Sequence, residues 1–109
     1  MRTIPIPVDP TRLTLTCVKN PKPRLLNRET GEIKLDKTGQ VVYEVTVSVE
    51  DDAGRLELMK IGISGEPPVV AGQQINPVGL VGYLWDFDGR WGISYRAAAL
   101  LPVGEDVRV

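Results

Sequence analysis

Five of the six aromatic residues of this 109-residue chain lie between Tyr83 and Tyr95: Tyr83, Trp85, Phe87, Trp91 and Tyr95. Arg90 and Arg96 are interleaved with them. Flat π surfaces beside guanidinium groups are the combination that stacks unpaired bases and follows their phosphates. A second group lies earlier, where Lys19, Lys22, Arg24, Arg28, Lys34 and Lys37 face only Glu29, Glu32 and Asp36, a local excess of +3. Cations gathered in this way bind a phosphate backbone by releasing its counterions. Each group also has a plainer reading. The aromatic residues can pack a core, and the basic segment can be a solvated hairpin whose charges serve only solubility.

Other chemistry is excluded by what the chain lacks. It has no histidine and one cysteine, so it holds no Ser-His-Asp triad, Cys-His pair, internal disulfide or Cys/His zinc site. Asp51, Asp52, Asp86 and Asp88 stand where turns are expected, and Asp there bonds its own backbone. Neither a supporting ligand cluster nor a phosphate-binding glycine loop accompanies them. The expectation is a protein that is not an enzyme, with no metal, no cofactor and no small-molecule substrate. Thirteen basic against fourteen acidic residues leave a formal charge of −1, so any nucleic-acid signal must be local. The N-terminus has no continuous apolar stretch of the secretory kind, and no run approaches the ~18 apolar residues of a membrane span. A cytoplasmic protein without a membrane partner is expected.

Eleven glycines and nine prolines, spread along the chain, cut every apolar run short of a confident helix. The fold expected is all-β, a small, five-stranded, strongly bent barrel like an OB-fold, with little or no helix. Its clearest strand is 41–49, in which Val41, Tyr43, Val45, Val47 and Val49 alternate with polar or outward-facing positions. Before it comes 13–18, where alternation makes Cys17 a strand residue and a small buried hydrophobe. After it comes 55–64, whose apolar positions switch phase between Leu58 and Met59, as a bulge or a sharp bend would require. Strands at 79–87 and 90–101 complete the five, with residues 65–72 as a loop. Residues 1–10 and 103–109 read as an extended arm and a tail about a single domain at 11–102.

The aromatic pair of strands meets at Asp88-Gly89. A two-residue turn pairs Phe87 with Arg90, Trp85 with Gly92 and Tyr83 with Ser94, placing Tyr83, Trp85, Phe87, Arg90 and Arg96 on one face. Leu84, Trp91, Ile93 and Tyr95 then form the opposite face and look like barrel interior. A three-residue loop with Gly89 in a bulge would instead pair Trp85 with Trp91.

Residues 28–33, 36–45 and 85–97 resemble small proteins of actinobacterial plasmids and integrative elements. The layout also resembles the small single-stranded DNA-binding proteins of filamentous phages. It shares with them a basic first loop, the approach to the second strand at Gly39 to Tyr43, a glycine turn at Ala71-Gly72-Gln73, and a last strand ending in the apolar run Ala98 to Pro102. The resemblance covers roughly residues 30 to 102. It implies an OB-type barrel, a homodimer, and cooperative, sequence-independent coating of single strands. The expected function is thus binding of single-stranded DNA, or RNA, for a mobile genetic element. Lys19, Lys22, Arg24, Arg28, Lys34, Lys37, Tyr83, Trp85, Phe87, Arg90 and Arg96 would carry it. The rival is a protein-interaction module of the same fold, with the tryptophan hairpin as its apolar contact.

Overall fold

The computed structural model describes residues 2–104. Its regular structure is nearly all β, 58% strand and 3% helix, the helix being one 3₁₀ turn at Pro10–Arg12. The strands are β1 (Arg2–Pro7), β2 (Thr14–Cys17), β3 (Lys22–Pro23), β4 (Leu25–Asn27), β5 (Glu32–Ile33) and β6 (Val42–Glu50). They continue as β7 (Leu56–Ser64), β8 (Gln74–Val78), β9 (Val81–Phe87), β10 (Arg90–Arg96) and β11 (Ala99–Pro102). One sheet, curled into a half-barrel, runs β1-β9-β10-β7-β6-β2-β8-β11, with β3 beside β6. A separate two-stranded arm joins β4 to β5.

The all-β expectation holds, but the strands exceed five. The extra ones have identifiable causes. The expected last strand breaks into β10 and β11 because the Ala97 N–H turns to Gly62 O of β7, while the Ala98 N–H turns to Val78 O of β8. The chain thereby changes neighbours at that corner. β8 forms in spite of Pro77, which lies beyond the last β2–β8 pair, so no bond of that ladder is lost. Arg2–Pro7, expected as an extended arm, is extended and paired along β9. The tail from 105 onward lies outside the described residues.

Of the bulge and the sharp bend expected after Leu58, the bulge is a correction. β6 and β7 pair without a break from Val42–Ser64 to Glu50–Leu56. The phase switch therefore means that β7 turns Met59, Ile61 and Ile63 toward the barrel and Leu56 and Leu58 outward, where they are 63% and 69% exposed. The core gathers Leu15 and Cys17 of β2, Val45 and Val47 of β6, Ile61 and Ile63 of β7, Ile75, Leu80 and Leu100. This core sits toward the β2–β8–β11 side, and the structure is long for its mass at 46 × 29 × 23 Å.

The segment expected as one basic loop is also corrected, since it contains β3 and the β4–β5 arm. Three backbones close on one another at its base. Arg24 N–H donates to Val42 O at 2.8 Å, Val42 N–H to Lys34 O at 3.0 Å, and Lys34 N–H to Arg24 O at 2.8 Å. Asp36 then shapes the return into β6. Its carboxylate accepts the N–H groups of Thr38 at 2.8 Å and Gln40 at 2.9 Å, and Gly39 takes φ +88° to complete the turn.

Candidate nucleic-acid interface

Asp88 and Gly89 have φ of 55° and 75°, the two left-handed residues of a type I′ turn. That turn fixes the register of β9 on β10 as Phe87–Arg90, Trp85–Gly92 and Tyr83–Ser94. Of the two registers open in the sequence, this is the two-residue one. Tyr83, Trp85 and Phe87 therefore share a face with Arg90, Ser94 and Arg96, on the outside of the half-barrel. The opposite face carries Tyr95, which packs against the core, and beyond it Ile93 and Trp91.

Two glycines seat flat groups against the outer face. A Cβ on Gly92 would fall 2.6 Å from Cζ2 and 2.8 Å from Cε2 of Trp85, so the indole lies across the β10 backbone where no side chain intervenes. A Cβ on Gly62 would lie 3.4 Å from Nη1 and 3.5 Å from Nη2 of Arg24, so the guanidinium lies over β7. Gly62 is the register partner of Arg96, which puts Arg24 and Arg96 side by side on the same face. The charge of Arg24 is partly offset by Glu44, whose Oε2 is 3.3 Å from Nη2, the two side chains being 28% and 18% exposed.

The surface connects the two groups seen in the sequence. Lys22, Arg24 and Arg28 line one groove with Leu25 and Glu44. Arg24 and Glu44 also line the next, with Lys60, Ile93 and Ser94. A groove thus runs from the cationic base of the arm to the aromatic hairpin, with Arg24 and Lys60 faced by Glu44 and Glu57 along its second part. Lys60 was not among the residues expected from sequence. Its signal was available, because in β7 it alternates out of phase with Met59 and Ile61.

Not every expected residue joins this path. Lys19 is exposed beyond β2, and Lys37 is exposed in the Asp36 turn. Lys34 holds the base of the arm through its backbone. Neither groove includes any of the three. Trp91, expected inside the barrel, is 71% exposed and is a correction. The sheet continues past its own core at this end, so among the described residues the barrel-facing side of the hairpin tip is left uncovered. Trp85 is the less exposed tryptophan, because it lies on Gly92.

Of the four aspartates expected to bond their own backbone in turns, Asp51 does so, Asp52 pairs with a side chain, and Asp86 lies in β9. Asp51 accepts the N–H groups of Ala53 and Arg55, each at 2.9 Å, and the Arg55 amide foremost holds its carboxyl below the ordinary range. Asp52 pairs with Arg12 at 2.7 Å. Among the described residues no three His, Cys, Asp or Glu side chains gather closely enough to hold a metal. Cys17 is buried, its Sγ donates to Lys19 O at 3.1 Å, and burial pushes its thiol pKa up, away from reactivity. No helix among the described residues is long and apolar enough to cross a membrane. Comparison of the sequence with protein-family models and with curated proteins returns no match.

Proposed function

We propose that the chain binds single-stranded nucleic acid, DNA in the first instance, without sequence preference and without catalysing a reaction. Bases stack on the outer face of the β9–β10 hairpin, and phosphates follow the cations that lead to the arm. The observation that carries this reading is the register of the hairpin, which aligns Tyr83, Trp85 and Phe87 at every second position. Successive platforms then stand about 6.8 Å apart along one strand, a spacing that an extended single strand can match. Arg96, Arg24, Lys60 and Lys22 lie on the same outer face for its backbone. An OB-like barrel, in which the outer sheet face between two loops is the binding surface, is the architecture that suits this use.

The test is a titration of fluorescein-labelled 20-mer oligonucleotides, single- and double-stranded, at two salt concentrations. The expected result is binding of the single strand with tryptophan quenching and a steep loss of affinity at the higher salt. Equal binding of the duplex, or no binding of either at low salt, would overturn the reading.

A further inference from the structure

The two ends of the main sheet are partly guarded against strand addition by proline. In β1 the Val8 N–H bonds Leu80 O at 3.0 Å, which fixes the phase of the ladder. Ile4 and Ile6 turn their backbone groups toward β9, and Pro5 and Pro7 take two of the three outward positions, Thr3 being the third. In β11 the Val103 N–H bonds Gln74 O at 2.9 Å, so Pro102 stands outward in the same way. Proline at such positions guards a sheet edge against pairing.

A third edge has no such guard. β7 and β10 run parallel but pair only at Ile61–Tyr95 and Gly62–Arg96, so they part toward their N-terminal ends. The Gly65 N–H bonds Val41 O, which turns the odd-numbered residues of β7 toward β6 and leaves Leu56 and Leu58 facing the gap. On the other side Arg90 pairs with Phe87 across the turn, so the backbone groups of Trp91 and Ile93 face the gap. The Ala97 N–H, bonded to Gly62 O at 3.1 Å, continues that phase. Among the described residues none of the four is paired across the gap. Free N–H and C=O groups at every second residue of two facing strands form a template that another extended backbone satisfies.

The side chains around the gap describe that backbone's sequence. On the barrel-facing side lie Trp91, Ile93 and Met59, with Glu57 at the mouth; on the outer side lie Leu58, Lys60 and Arg90. Because the two strands pair only at Tyr95 and Arg96, the gap is a wedge closed at that end and entered from the N-terminal ends of β7 and β10. We propose that it takes up an extended segment of a partner protein by strand addition. Apolar residues of the segment meet Trp91, Ile93 and Met59, and acidic residues in alternation with them meet Lys60 and Arg90. This goes beyond nucleic-acid binding and does not rest on it: the backbone contacts are made by the β7 and β10 edges, and Lys60 and Arg90 are the residues the two surfaces share.

The experiment titrates the full chain with a labelled seven-residue peptide alternating Glu and Val. Two controls are a peptide of the same composition with its valines together and the alternating peptide N-methylated at every second residue. The alternating peptide is expected to bind with Kd of about 100 μM or tighter, and each control at least about tenfold more weakly. Ile93→Pro removes an outward N–H and no ladder bond; it is expected to weaken the peptide about tenfold while the melting curve stays as it was. Leu58→Pro repeats that test on the facing strand, and the N-methylated peptide repeats it with no change to the protein. Equal binding of the controls, no binding by about 1 mM, or a self-association that Ile93→Pro abolishes, which would assign the wedge to a second copy, would each overturn the proposal.

Discussion

The β6–β7 pair and the β9–β10 hairpin are both antiparallel ribbons of seven to nine residues per strand, with apolar residues on alternate positions. In the first, Val45, Val47 and Ile61 have essentially no exposed surface. In the second, Phe87 and Trp91 remain open on opposite faces of the same ladder. What differs is the company each ribbon keeps. β6 and β7 are covered on the barrel-facing side by β2, Ile75, Leu80 and Leu100, whereas the hairpin tip lies beyond the core formed by the described residues. A large apolar side chain that packs on nothing adds little to the fold, so the aromatic residues of the tip call for a purpose outside the core.

The largest effects should separate the two ribbons. Ile61→Ala and Leu100→Ala are expected to cost about 2 to 5 kcal/mol each in urea denaturation, since both side chains are fully enclosed. Trp91→Ala should stay within about 0.5 kcal/mol of the parent, the usual range for an exposed site, although more atoms are removed. A large loss at Trp91 would mean that the tip is covered after all, and the contrast would fail.

Next in size is Gly92→Ala. The added methyl meets the Trp85 ring at 2.6 Å and must displace it, at a cost of about 1 to 3 kcal/mol, with a change in tryptophan emission. Gly89→Val strains the type I′ turn by at least about 1 kcal/mol, and unchanged melting would show that the turn tolerates the other register. The smallest effect concerns acid. Hydrogen bonds from Thr38, Ser64 and the Gln40 amide hold the Asp36 carboxyl well below its ordinary value of 3.8. The Thr11 and Arg55 amides act in the same direction on Asp9 and Asp51. A carboxyl depressed in the folded state contributes stability above its unfolded value and loses it as pH falls through the folded one. Stability should therefore decline as pH drops below 3.8, and Asp36→Asn should flatten that decline. A parallel decline in the variant would remove Asp36 from the cause.

The hairpin was legible in the sequence at Asp88-Gly89, but its register stayed open between a two-residue and a three-residue loop until the left-handed Asp88 and Gly89 decided it. Asp-Gly supports two consecutive left-handed residues, and once the turn is two residues long, alternation assigns every side chain to a face. Burial was not legible in the same way. Alternation shows that Trp91 and Tyr95 share a face but not how far the core extends beneath it, and only Tyr95 lies over the core. The Leu58–Met59 phase switch reads as a bulge or a sharp bend, whereas the β6–β7 ladder is unbroken and Leu56 and Leu58 are simply exposed. The basic segment misled for a different reason. Charge counts locate cations along the chain, while the bonds joining Arg24, Val42 and Lys34 determine which of them face the hairpin.

The most direct measurement compares Trp85→Ala with Trp91→Ala for binding of a labelled single-stranded oligonucleotide at fixed low salt, with the melting temperature of each recorded. The two tryptophans lie on the same hairpin and opposite faces, so they share every general effect of removing an indole. Trp85→Ala is expected to lose about 1 to 3 kcal/mol of affinity, the worth of one stacked base, while remaining folded, and Trp91→Ala is expected to bind as the parent does. Equal losses in the two variants, or a folded Trp85→Ala that binds undiminished, would contradict the outer face as the binding surface.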